Sequence, residues 1–155
     1  MRLALSTLLS VLYAGVTLAL WLTWLGVLLV GGLALFSLPA GLFMVLVGVL
    51  VLLPTAQGLR HLRAALHRAR DLTPLDGEVA QQVGEGGRWL LGAGLATFPL
   101  GVLVLALDPD NVKLMWTPGG VLSTLLALAV PLLLIGLSGW LDEGRELRDR
   151  AREVV

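Results

Sequence analysis

The sequence predicts an all-α fold: an integral membrane four-helix bundle, N-in/C-in, with short amphipathic helices on the cytoplasmic side. Three observations predict it. Only 14% of the 155 residues are charged, against roughly 25% in a soluble domain. The charges fall in islands: at Arg2, from Arg60 to Arg88, from Asp108 to Lys113, and from Asp142 to Glu153. Between the islands lie apolar runs as long as the ~18–20 residues that cross a ~30 Å hydrocarbon core.

The spans are expected at residues 5–28, 40–59, 89–107 and 121–141, with a cytoplasmic loop at 60–88 and a cytoplasmic tail at 142–155. All belong to a single domain. Met1-Arg2 followed by an apolar run imitates a signal peptide, but the run continues through Trp24 to Val30, so an uncleaved first span is expected. No span has an ionisable residue at its centre, where one arginine would cost about 2.5–3.5 kcal/mol of insertion free energy. Orientation follows from the basic residues. Arg2, the arginines of 60–88 and those of the tail lie on one side, and Lys113 alone falls on the other. Arginine-rich connections stay in the cytoplasm, so both termini are expected there, in a multi-pass protein of the cell membrane. Trp24 and Trp116 fall near outer span ends, and Trp89 and Trp140 at inner ends, the levels that tryptophan favours.

Proline punctuates the spans. Pro39 and Pro118 precede spans two and four, where a missing N–H costs little. Pro54, Pro99 and Pro131 lie inside spans, where each removes a backbone hydrogen bond. They are candidate hinges; the plainer reading is that neighbouring groups satisfy the freed carbonyls. Ser6, Ser10 and Ala14 in span one, and Gly92 with Ala96 in span three, are small residues four apart. Such faces allow close helix approach, within one bundle or in a homo-oligomer. Pro39-Ala40-Gly41 and Pro118-Gly119-Gly120 hint at a duplication, as do Ala14-Gly15 and Ala93-Gly94.

Beyond Pro54, the second span is expected to continue as a basic amphipathic helix. Leu59, Leu62, Leu66 and Ala69 form its apolar side, and Arg60, Arg63, His67, Arg68 and Arg70 its basic side. Such a helix suits the headgroup layer. Thr73, Pro74 and Asp76 read as the start of another short helix, with Leu75, Val79 and Val83 as its stripe. The run Gly84-Glu85-Gly86-Gly87 is expected to end it. In the tail, Glu146 with Arg150 and Arg145 with Asp149 stand four apart, as in an exposed helix.

No catalytic constellation emerges. Cysteine is absent, which excludes thiol and disulfide chemistry. The net charge is zero and implies no direct nucleic-acid partner. His61 and His67, six apart on a helix, point in different directions and cannot grip one metal as a pair. Asp108, Asp110 and Asn111 lack the glycine and distal glutamate of a calcium loop and read as a turn. The intramembrane serines and threonines are expected to bond their own helix backbone or a neighbouring helix rather than a substrate. No cofactor and no metal site is expected, and the chain is read as non-enzymatic.

Two stretches, LRHLRAALHRARDLTP…GRWLLGAGL from Leu59 to Leu95 and LDEGRELRDRAREVV from Leu141 to Val155, carry a resemblance. With the four-span layout, they resemble the small bacterial membrane proteins grouped as domain of unknown function 2975. That resemblance implies the same layout, no assigned activity, and an association with small helix-turn-helix regulators. The functional expectation is a regulatory or sensing membrane partner of a cytoplasmic protein. Its contacts with that partner or with membrane lipids would be made by Arg60, Arg63, Arg68, Arg70, Arg145 and Arg148. The alternative is a transporter or channel subunit hinged at Pro99 and Pro131.

Overall fold

The computed structural model describes residues 2–34, 45–71, 77–107 and 118–153. Every described residue is helical. Helix α1 spans Arg2–Ala34. A π-helical turn, Gly48–Leu52, leads into α2, Leu53–Asp71. Helix α3 spans Gly77–Leu107 and α4 spans Pro118–Glu153. Pro118 opens its helix as expected. The predicted cap at Thr73, Pro74 and Asp76, the turn around Asp108, and Pro39, Lys113 and Trp116 lie outside the described residues.

Three helical segments, Thr7–Gly32, Val45–Ala69 and Val121–Ala151, are long and apolar enough to cross a membrane. Their surfaces agree. Leu133 and Trp140 on α4 are 72% and 77% exposed, and Leu8, Leu12, Leu22 and Leu28 on α1 are also open. A face so apolar and so uncovered is compatible with lipid as its solvent, so the chain is a membrane protein. The predicted third span is helical throughout.

Each helix packs on its neighbour in sequence. α1 lies on α2, α2 on α3, and α3 on α4, while α1 and α4 share no extensive contact among the described residues. Every pairing is antiparallel. Gly26 faces Leu52 while Gly48 faces Val30; Gly58 faces Gly86 and Leu90; Gly94 faces Ala127 while Gly84 faces Ser138.

Glycine sets the two inner contacts. A Cβ on Gly58 would lie 3.0 Å from the Gly86 carbonyl oxygen, and one on Gly86 would lie 3.1 Å from that of Gly58. A Cβ on Gly87 would meet the Pro131 oxygen at 3.0 Å, and one on Gly94 the Ala127 oxygen at 2.6 Å. The backbones thus nearly touch, in the geometry that favours Cα–H···O contacts, each about 0.5–1 kcal/mol. Gly86 and Gly87 point to adjacent faces, about 100° apart, so one short run serves both neighbours.

One expectation is corrected here. Gly84-Glu85-Gly86-Gly87 does not end a helix: α3 runs through it, because these glycines are where α2 and α4 come closest. A Cβ on Gly92 would have nothing within 4 Å, so of the two uses open to that small-residue face, packing inside the bundle is not seen among the described residues; the packed glycines of α3 are Gly84, Gly86, Gly87 and Gly94. Gly15 is likewise open where Gly94 is clamped, so the two halves do not share an environment at these positions. In addition, α1 carries on through Gly31 and Gly32 to Ala34, into the predicted outer connection.

Pro54 follows the π-helical turn, in which the Leu53 N–H donates to the Gly48 oxygen. Proline cannot donate to the carbonyl four residues back and its ring would strike it; one wider turn relieves that clash. Pro99 and Pro131 lie within unbroken helices. Pro131 deprives the Ala127 carbonyl of its N–H, and this oxygen is the one that faces Gly94.

Gly94→Val should therefore push α3 from α4 and lower stability by roughly 1–3 kcal/mol, the usual range for overpacking. Gly92→Ala should be neutral or slightly stabilising. Thermal unfolding in detergent, followed by far-UV circular dichroism, checks both.

Candidate functional site

The basic side of α2 meets α1 in an open groove of about 430 Å³, lined by Tyr13, Leu20, Arg60, Arg63, Ala64, His67 and Arg68. Helical spacing places Arg60, Arg63 and His67 on adjoining turns of one face. The same spacing turns Gly58, Leu62, Ala65 and Ala69 the other way. There Ala65 is buried with Val79 and Val83 of α3, and Ala69 and Leu134 pack around them.

Aromatic rings of α1 position two of the arginines. The Tyr13 hydroxyl accepts hydrogen bonds from Nε and Nη2 of Arg63, each 3.2 Å long. The Arg63 guanidinium also stands 5.5 Å from the centre of the Tyr13 ring. Arg60 stands 5.9 Å from the Trp24 ring, and His67 meets Tyr13 edge-on at 6.2 Å. Side chains on a helix lean towards its N-terminus. Arg60 therefore leans along α2 towards the span, while Trp24 leans along the antiparallel α1 to meet it.

This pairing fixes relative depth. Tyr13 is level with Arg63 and His67, yet it lies eight residues, about 12 Å at 1.5 Å each, inside the predicted inner edge of span one at Leu5. On the far side, Gly84 is level with Ser138, so the apolar run of α4 also passes the level of Glu85 and Arg88. The flanking helices stay apolar where the central pair has become charged. Ionisable groups thus do reach the level of the apolar runs, on α2 and α3.

A second groove, about 310 Å³, lies between α2 and α3 and is lined by His61, Arg68, Glu78, Gln81, Gln82 and Glu85. Its charges are internally compensated. Arg68 is ion-paired with Glu78, and Arg88 with Glu85 at 3.1 Å. His61 and His67 open onto different grooves, as their spacing requires. Among the described residues no three His, Cys, Asp or Glu side chains gather as metal ligands would.

Of the six arginines picked from sequence, Arg60, Arg63 and Arg68 line one groove. The Arg70 side chain lies outside the described residues. Arg145 and Arg148 stand apart on α4. Arg145 lies 3.9 Å from Asp149 and against Gly77, and Glu146 pairs with Arg150 at 3.4 Å, the two pairings expected of the tail. The three prolines do not converge on this groove. Pro131 lines a separate apolar cleft of about 280 Å³ with Val51, Thr55, Gly94 and Thr97. Tyr13 and Trp24, which build the groove, are invisible to an inspection of α2 alone. The one signal for Tyr13 is its place as the sole tyrosine, set within an apolar run.

Comparison with family models, with curated proteins and with solved structures returned no match.

Tyr13→Leu should cost more stability than Tyr13→Phe, because the phenyl ring keeps the cation–π contact and loses only the hydrogen bonds. A double-mutant cycle between Tyr13→Leu and Arg63→Gln should give a coupling of about 0.5–1 kcal/mol, read from thermal unfolding in detergent.

Proposed function

We propose that the chain is a four-span protein of the cytoplasmic membrane with both termini inside. Its charged inner face would serve as a non-enzymatic docking platform for a cytoplasmic regulatory protein. The segregation of charge carries this reading. Arg60 to Arg68 on α2, Glu78 to Arg88 on α3 and Asp142 to Arg150 on α4 lie towards one end of the helices. The apolar segments of α1 and α4 bear no charge at all. Arginine concentrated on one side supports a cytoplasmic placement of that side.

The helical tail supports the docking role. It extends α4 past Leu141 with Leu147 exposed and with Arg145, Glu146, Asp149 and Arg150 in short-range pairs. Exposed pairs of this kind contribute only tenths of a kcal/mol to stability, so a partner can rearrange them at little cost. The likeness to the domain of unknown function 2975 proteins adds the same association with a small helix-turn-helix regulator.

A transporter or channel subunit, the other reading, would need polar groups turned towards a path. The hydroxyls of Thr23, Thr55, Thr97 and Ser138 donate to carbonyl oxygens of their own helices, at 2.6–2.8 Å, and the cleft that Thr55 and Thr97 line beside Pro131 is otherwise apolar.

A photo-crosslinking residue at Leu147, tested in intact cells, should give a discrete adduct with one cytoplasmic protein. Arg145→Glu with Arg148→Glu should remove it, and the same probe at Leu133 should give none. An adduct indifferent to charge reversal, or a reporter fused after Val155 that is active outside the cell, contradicts the proposal.

A further inference from the structure

Among the described residues, the groove between α1 and α2 holds two arginines that no carboxylate reaches. Arg68 is ion-paired with Glu78, but neither Arg60 nor Arg63 has a carboxylate within reach among the described residues. Their neighbours are aromatic: Trp24 beneath Arg60 and Tyr13 beneath Arg63. The Tyr13 hydroxyl accepts from Arg63, which leaves its own proton to donate.

The surroundings narrow the choice of anion. Both guanidiniums are level with the apolar run of α1. Uncompensated arginine at membrane depth is costly and draws in whatever anion is at hand. Trp21 and Leu28 are exposed on α1, and helical spacing sets them beside the face that carries Tyr13, Leu20 and Trp24. A soluble phosphate or an acidic peptide has no use for that surface; an acyl chain does. Guanidinium forks suit a phosphodiester, which accepts paired hydrogen bonds.

We propose that this groove is a specific site for one anionic phospholipid. Its phosphodiester is held by Arg60, Arg63 and the Tyr13 hydroxyl, and an acyl chain lies along Trp21 and Leu28. Bound lipid neutralises the arginines and ties α1 to α2, the one neighbour on which α1 packs extensively. The site does not require a protein partner, so its failure and that of the docking role are separable.

The test uses the full chain in lipid nanodiscs of mixed phosphatidylglycerol and phosphatidylcholine, with retained lipid counted by native mass spectrometry. The wild type should retain phosphatidylglycerol in preference to phosphatidylcholine. Arg60→Gln with Arg63→Gln should weaken that retention roughly 25-fold, about fivefold per arginine. Arg145→Gln with Arg148→Gln should leave it unchanged. Quenching of Trp24 fluorescence, obtained by difference against Trp24→Phe, reports on the otherwise unaltered protein should the double variant fail to fold. Chain-brominated phosphatidylglycerol should quench it more than brominated phosphatidylcholine. Equal retention of the two lipids by the wild type, or equal quenching by them, overturns the proposal. So does a double variant that binds as tightly as the wild type. Displacement of the lipid by soluble glycerophosphate at comparable concentration does so too, since the site would then read the anion without the chain.

Discussion

Lipid tails are as apolar as leucine, so helices in a bilayer gain little by burying leucine against one another. What can hold α2, α3 and α4 together is the close approach of one backbone to the next, and glycine is what permits it. Gly58 with Gly86, Gly87 with Pro131, and Gly94 with Ala127 place Cα atoms against carbonyl oxygens at distances where any side chain would intrude. The rest of the arrangement follows from these contacts. They set which face of α3 meets which neighbour. They fix the level at which each helix lies beside the next, and hence the level at which the arginines of α2 emerge.

Proline and glycine act together in this scheme. A carbonyl that loses its N–H to proline has no water to turn to in hydrocarbon. At Ala127 the freed oxygen faces the glycine of the adjacent helix. Near Pro54 the chain takes a wider turn, closed by the bond from Leu53 to Gly48, and the Thr55 hydroxyl donates to the Val51 oxygen at 2.7 Å. The offset between central and flanking helices has an electrostatic result. Charged groups of α2 and α3 open onto grooves at a level where the flanking helices α1 and α4 are still apolar.

Much of this was legible in the residues. The long charge-free runs announced helices of membrane length, and the i,i+4 pairs of the tail formed where their spacing put them. The buried stripe of Val79 and Val83 was readable from helical period alone. Other features were hidden for physical reasons. A run such as Gly84 to Gly87 signals a turn in water, where glycine frees the backbone, but a tight crossing in lipid, where it admits a neighbour. Which meaning applies depends on helices far away in sequence. The groove was hidden for the same reason: Arg63 finds Tyr13 across 50 residues, a pairing set by the register of α1 on α2. Reading α2 by itself suggested a basic amphipathic helix at the headgroups and named no neighbour for it, whereas it packs against both α1 and α3.

The central claim is that, at one and the same level, the flanking helix faces lipid and the basic helix faces a polar recess. Because the chain has no cysteine, spin labels can be attached one at a time to cysteines introduced at Leu18 on α1 and at His61 on α2, which the antiparallel register sets at one level. Their relaxation can then be compared in a bilayer with oxygen and with a water-soluble nickel chelate as the broadening agents. Oxygen should dominate at position 18 and the nickel chelate at position 61. Nickel access at both positions would place the whole level in water and contradict the account.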